Sequence, residues 1–176
     1  DEEQRRNISL FTSVIPIQYK DLKLNFLDTP GYSDFVGEVV SAMHVADCAV
    51  ILVDSVGGME VGTEVALNYA SQYQLPRLMV INKMDRENAN FKKALASVQD
   101  EIDDRLIPMQ LPWGEKAEFK GVIDLLSMKA YKADGKTAEE IPAELRDEAE
   151  KARTKLVEAA AEGDDALLEK YFENGD

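Results

Sequence analysis

A single cysteine, Cys48, stands among 176 residues, so no disulfide can form within the chain. A covalently stapled miniature scaffold is thereby excluded, and the thiol count fits a reducing, cytoplasmic compartment. Beside the apolar run Ala49-Val50-Ile51-Leu52-Val53, Cys48 is expected to serve as a small core hydrophobe. Long hydrophobic runs are missing too. Nothing approaches the ~18 apolar residues of a membrane helix. The polar start Asp1-Glu2-Glu3-Gln4-Arg5-Arg6 has no signal-peptide character and reads as a chain caught mid-sequence. Basic side chains are scarce: 20 Lys and Arg face 34 Asp and Glu, a net charge of −14. That balance argues against nucleic-acid binding by this surface, which relies on cations displacing phosphate counterions. The excess acid is spread over residues 1–107 and 108–176 alike, gathering late in the second part, in Glu139–Asp176. Apolar residues reach 45%, enough to build a core and exclude wholesale disorder.

The pattern along residues 1–107 alternates strand and helix. Residues 11–19 and 22–27 read as strands joined by the turn Lys20-Asp21, with Pro16 placing the first at a sheet edge. Ser33 or Asp34 can cap a helix to about Val45, with Phe35, Val36, Val39, Val40 and Met43 on its apolar face. The run 48–53 has strand length and predicts burial on both faces, as in a parallel sheet covered by helices. Gly57-Gly58 is a loop. Val61, Val65, Tyr69, Ala70 and Tyr73 mark a second helix, Arg77–Ile81 a further strand, and Asn90 caps a third helix bearing Phe91, Leu95, Val98 and Ile102. This alternation predicts right-handed crossovers and an α/β fold with a doubly wound sheet, whose ligands sit beyond the strands' carboxyl ends.

After about Ile107 the texture changes. Pro108, Pro112, Gly114, Gly121 and Asp134-Gly135 punctuate short apolar pieces, which predicts a small antiparallel β unit. An acidic helix follows with Ile141, Leu145, Ala149, Ala152, Leu156 and Ala160 as its stripe; Gly163 stops it, and Asp164 begins a last helix carrying Leu167, Leu168, Tyr171 and Phe172. Residues 108–176 are thus expected to be a small α+β inserted subdomain, and 1–107 the partial domain that receives it. Trp113 is expected to anchor a turn of the insert, and His44 to be a packing or surface residue.

Two motifs begin where an apolar strand ends. Asn82-Lys83-Met84-Asp85 is the sharper one. Guanine presents two adjacent donors, the ring N1–H and the exocyclic amine, and one carboxylate, Asp85, can accept both. Adenine would leave that carboxylate unpaired, which is how a polar site rejects a near-isostere. Asn82 can order the loop and meet the base's acceptor edge, while the Lys83 stem lies along the base plane. The second motif is Asp28-Thr29-Pro30-Gly31. An Asp at a strand end can hold Mg²⁺ through a water, and Gly31 lets a backbone N–H approach a terminal phosphate. A weaker signal is Arg5-Arg6-Asn7-Ile8-Ser9-Leu10: Ser9 could join Mg²⁺ when a loop closes, or the segment is a frayed polar start to the first strand. Gly135-Lys136-Thr137 imitates the end of the phosphate-cradling pattern G-x-x-x-x-G-K-[ST], but Ala130 stands where its first glycine is needed, so Asp134-Gly135 reads as a hairpin turn. No other stretch fits that pattern.

These motifs, with Gly57-Gly58-Met59-Glu60-Val61, Pro76-Arg77, Arg86-Glu87-Asn88-Ala89-Asn90-Phe91 and the later Gln110-Leu111-Pro112, Gly121-Val122-Ile123-Asp124-Leu125, Ile141-Pro142 and Leu168-Glu169-Lys170-Tyr171, resemble the GTPase domain of elongation factor G and its inserted subdomain. The resemblance covers nearly the whole chain. It implies a P-loop NTPase-type sheet, here without the P-loop strand that would lie between 22–27 and 48–53, so that the chain reads as a fragment with edges open to self-association. It further implies GTP or GDP bound with Mg²⁺, contributions from Asp28, Thr29, Pro30, Gly31, Asn82, Lys83, Met84 and Asp85, Mg²⁺ contacts from Ser9 and Asp28, a cytoplasmic ribosome partner including the stalk protein, and hydrolysis coupled to translocation. The family's usual water-positioning histidine is replaced by Tyr32, which points to the divergent elongation-factor-G-like subgroup. A phenol cannot take the protonated role open to an imidazole. Two alternatives therefore stand beside the active GTPase: a GTP switch that hydrolyses weakly, and a fragment that binds no nucleotide by itself, with no tightly held cofactor.

Overall fold

The computed structural model describes residues 2–102, 106–163 and 165–174. The chain divides into two compact units, Asp1–Val53 with Met59–Val80, and Asp54–Gly58 with Ile81–Asp176.

The first unit opens with helix α1 (Glu2–Arg6) and the antiparallel strands β1 (Ser13–Tyr19) and β2 (Leu22–Asp28). Tyr19 pairs with Leu22 across a two-residue turn in which Lys20 takes a φ of 52°, the left-handed geometry such turns demand. Among the described residues β1 pairs only with β2, and Pro16, opposite Asn25, sits on the edge its missing N–H requires. A 3₁₀ turn over Ser33–Phe35 leads into α2 (Val36–Met43). The expected cap at Ser33 or Asp34 is not made: both lie inside the 3₁₀ turn, and the flanking positions Tyr32 and Phe35 make no side-chain cap bond. The Tyr32 carbonyl already accepts the Phe35 N–H at 3.0 Å, so a side-chain acceptor is not needed there. β3 (Ala49–Asp54), α3 (Val61–Gln72) and β4 (Arg77–Asn82) follow. The Ala49 N–H donates to Pro76 O and the Ser55 N–H to Asn82 O, the same step along both chains, so β3 and β4 run parallel.

The structure corrects three expectations. The described residues form three separate sheets, β1-β2, β3-β4 and a four-stranded one, and not one doubly wound sheet. Winding in both directions needs a central strand carrying partners on both edges, and no described segment supplies it between β2 and β3. Nor is β3 buried on both faces: Ala49, Ile51 and Val53 are inside, whereas Val50 and Leu52 are 50% and 61% exposed, and on β4 Leu78 and Val80 are also exposed. Cys48 is exposed as well, because strand alternation turns 49, 51 and 53 inward and leaves 48 on the other side. His44 lies at the surface at the end of α2, edge-on to Tyr73.

The second unit carries α4 (Phe91–Ile102), whose start is capped as expected, Asn90 Oδ1 accepting the Lys93 N–H at 2.9 Å. Then come β5 (Gln110–Trp113), β6 (Gly121–Asp124), β7 (Lys129–Lys132) and β8 (Ala138–Glu139), an antiparallel meander, followed by α5 (Ala143–Ala161) and α6 (Asp165–Asn174). The expected helix start at Asp164 lies outside the described residues. Ile123, Leu125, Ala130, Ile141 and Ala149 form the core, with Leu111, Trp113, Leu145, Ala152 and Leu156 packed on it. The acidic helix therefore buries the predicted stripe, except that it closes on Ala161 and leaves Ala160 exposed. Gly121 lies at the tightest point of the sheet: its φ is 153°, and a Cβ there would stand 1.9 Å from the Tyr131 carbonyl oxygen. Gly121→Ala is accordingly expected to cost about 3 kcal/mol or more. Gly37→Ala, at an exposed position inside α2 with nothing within 4 Å, is expected to stabilise by up to about 1 kcal/mol. Urea unfolding of the two variants beside the unaltered chain checks the opposite signs.

Candidate nucleotide-binding site

The loop after β4 is fixed by an unusual number of bonds. Asn82 O accepts the Ser55 N–H at 3.0 Å, and Asn82 Oδ1 accepts the Lys83 N–H at 2.8 Å. Lys83 takes a φ of 61°, a conformation that costs a non-glycine residue about 1 kcal/mol. Its carbonyl accepts the hydroxyl of buried Ser55 at 2.8 Å and the Arg86 N–H at 3.2 Å. Met84 is buried, and its carbonyl accepts the Lys116 N–H at 2.8 Å from the 3₁₀ turn Lys116–Glu118. Glu115, beside it, accepts the Phe91 N–H at the start of α4 at 2.9 Å. Every carbonyl from Asn82 to Met84 is thus occupied. Asp85 is exposed, and its carboxylate has no partner among the described residues.

The hub of this arrangement is Asp54, at the end of β3. One carboxylate oxygen takes the Lys83 ammonium at 2.9 Å and Arg86 Nη1 at 3.1 Å. The other takes the Val56 N–H at 2.9 Å and the Gly57 N–H at 3.5 Å. The hydrogen bond from Lys83, then the bond from Val56, hold its carboxyl down at about 2. Sequence reasoning stopped this strand at Val53 and missed Asp54, Ser55 and Arg86. A signal was present, since Asp54-Ser55 ends an apolar strand just as Asp28-Thr29 and Asn82-Lys83 do.

In the first unit, Asp28 closes β2 with an exposed carboxylate that has no partner among the described residues. Thr29 is half-buried and Pro30 fully buried, which roots the turn. Gly31 is exposed; its φ is not in the left-handed region and a Cβ would meet nothing within 4 Å, so neither backbone conformation nor packing demands a glycine there. Tyr32 follows and is 58% exposed. Ser9 is exposed beyond α1, in a segment folded back by Glu3, whose carboxylate accepts the Leu10 and Phe11 N–H groups at 2.8 and 3.2 Å. Those two backbone bonds lower the Glu3 carboxyl. The start is therefore a short ordered helix, ended by Asn7 at a φ of 54°, and not a frayed strand.

The imitation of a phosphate loop at Gly135-Lys136-Thr137 is a hairpin turn between β7 and β8. Asp134 accepts the Lys136 and Thr137 N–H groups at 2.8 and 2.9 Å and the Thr137 hydroxyl at 2.6 Å. Among the described residues, no helix is long and apolar enough to cross a membrane, and no group of three or more His, Cys, Asp or Glu could hold a metal by itself.

A mixed α/β chain with an ordered Asn82–Asp85 loop after a parallel strand, and an Asp28–Gly31 turn after an antiparallel one, has the makings of a guanine-nucleotide-binding domain. The chain belongs to the elongation factor Tu GTP-binding domain family, whose sequence profile matches residues 1–174, and so to the translational GTPases. It is also similar to the crystal structure of ttk003000868 from Thermus thermophilus, with 33% identity and a TM-score of 0.88 over 98% of this chain. The match spans only 26% of that longer chain.

The pH dependence follows from Asp54. Its folded pKa lies below the unfolded carboxylate value of about 3.9, so its stabilising contribution is complete above that value and is lost as pH falls through about 2. Between pH 5 and 2.5 the urea midpoint of Asp54→Asn is expected to fall less than that of the unaltered chain.

Proposed function

We propose that this chain carries the base-reading and terminal-phosphate-sensing parts of an elongation-factor-G-type GTPase, one of the elongation-factor-G-like subgroup, acting on the ribosome in the cytoplasm. The observation that carries the reading is the Asn82–Asp85 loop: its carbonyls are held by the protein, while the Asp85 carboxylate stays unspent and exposed. An acceptor presented on a fixed loop suits the paired donors of guanine. On this reading Asp85 takes guanine N1–H and the 2-amine, Asn82 and the Lys83 stem support the ring, and Met84 anchors the loop from below.

Asp28, Thr29, Pro30 and Gly31 serve the terminal phosphate and its Mg²⁺. The donor set fits that ion: Asp28 and Ser9 offer exposed hard oxygens, and Mg²⁺ completes its shell with waters and phosphate oxygens and so needs no dense protein cage. The open space at Gly31 supports an approach by a phosphate, because the fold itself gives no reason for a glycine there. Mg²⁺ would supply charge neutralisation at the phosphates. Residues 108–176 form the inserted subdomain, and its acidic surface suits docking to the ribosomal stalk protein. The exposed apolar residues of β1 to β4, among them Phe26, Leu52 and Leu78, favour self-association of the chain by itself.

A second reading, a switch that hydrolyses slowly, is favoured by Tyr32, whose exposed phenol replaces the expected imidazole. In the intact protein, Asp85→Asn is expected to shift preference from GDP to XDP by about 100-fold or more, since an amide can donate to the xanthine 2-carbonyl. Equilibrium binding of both nucleotides measures the shift, and an unchanged preference sinks the base-reading assignment. Tyr32→His is expected to raise ribosome-stimulated phosphate release by roughly tenfold or more, as general-base or water-positioning gains do; an unaltered rate would remove the second reading.

A further inference from the structure

Asp54 belongs to no motif of the expected nucleotide site, yet it ends β3 with one carboxylate that collects four donors. Three features make this more than a surface ion pair. The carboxylate is largely enclosed, with 16% of its side chain exposed. Its two oxygens divide the work: one orders the Val56–Gly57 turn, and the other takes both cations of the neighbouring loop. The two cations flank Asp85 in the sequence, at 83 and 86, so the residue meant to read the base lies inside a segment tied at both ends to one point. The backbone needs such a tie. Lys83 sits at a φ of 61°, which a lysine holds only where its surroundings over-determine it. Ser55, the next residue, adds a second tie through its buried hydroxyl to the Lys83 carbonyl.

We propose that Asp54 is a positioning residue for guanine recognition: by fixing Lys83 and Arg86 it presets the loop so that Asp85 meets the base without reorganising. The inference rests on the reading of Asp85 given above and adds a residue that touches neither base nor phosphate. Its physical content is preorganisation. A loop ordered before the ligand arrives spends none of the binding free energy on ordering, and the geometry of a two-donor contact is the first thing a loosened loop loses.

The consequence is specific. GDP and IDP differ only in the 2-amine, so their affinity ratio reports the Asp85 contact and cancels everything contributed by ribose, phosphates and Mg²⁺. In the intact protein, Asp54→Asn keeps the acceptor for Val56 and Gly57 but removes the charge that holds Lys83 and Arg86. It is expected to lower the GDP/IDP affinity ratio by about fivefold or more. The same change made when Lys83 is already Met should lower the ratio by a smaller factor, because half the tie is gone. A purely structural role would weaken both nucleotides equally, and an unchanged ratio in Asp54→Asn, measured on protein with a normal unfolding midpoint at pH 7, overturns the proposal. Should Asp54→Asn not fold, Lys83→Met probes the same pair from its other end: its ratio falls if the tie positions Asp85 and stays constant if the proposal is wrong. Asp85→Asn separates the two levels. If it fails to switch preference to XDP, the base reading is at fault; if it switches and the Asp54→Asn ratio is unmoved, only the positioning role falls.

Discussion

The Asn82–Asp85 loop depends on a tether at the end of β3. Asp54 and Ser55 together hold Lys83 by its ammonium, its carbonyl and, through Asn82 O, its preceding peptide. Each bond taken singly is modest: an exposed ion pair contributes about 0–1 kcal/mol and a neutral hydrogen bond about 1. Their weight comes from convergence on Asn82, Lys83 and Arg86 in one strained turn, where losing one bond leaves the others holding a backbone conformation Lys83 does not favour by itself. Parallel pairing of β3 and β4 is what makes the convergence possible, because it delivers both strand ends to the same edge.

Residues beyond α4 take part in this scaffold. Lys116 N–H closes on the Met84 carbonyl and Glu115 on the start of α4, so the turn at Lys116–Glu118 completes the shell around the loop. A second tie, Lys92 with Glu148 at 2.8 Å, joins α4 to α5. The β5–β8 meander and α5 share a core centred on Ile123, Leu125 and Ala149, with a tight point at Gly121. From this part of the chain one hydrogen bond reaches the loop, at Met84, and one reaches the start of α4, at Phe91. The first unit contrasts with it. Its strands leave Val14, Phe26, Val50 and Leu52 uncovered, an apolar surface that an isolated monomer rarely presents.

Much of this was legible along the chain. The bounds of the strands and helices from β1 to α4 lie within a few residues of where hydrophobic period and turn chemistry put them, and Asn90, Pro16 and Asp134-Gly135 act as their chemistry predicts; the helix α1 was not legible. Errors fell where sequence proximity misleads. Cys48 sits next to a core strand yet faces outward, because burial follows the parity of a strand and not closeness to it. Ser33 and Asp34 are good caps by type but are consumed in a 3₁₀ turn. The continuous apolar run of β3 implied two covered faces, and one is bare, since an apolar pattern records what a strand can bury and not whether anything covers it.

By itself the sequence determined the local elements, the Asn82–Asp85 and Asp28–Gly31 signatures, and the texture change at the insert, because each is written in adjacent residues or in a short period. Only the tertiary structure decided that Asp54 is the centre of the loop's support. Its partners are 29 and 32 positions away, and no local pattern records which distant cations a carboxylate will meet. The same holds for the exposed strand faces and for the bond from Lys116 to Met84: both depend on which segments the folded chain brings side by side, a property of packing that residue types alone do not encode.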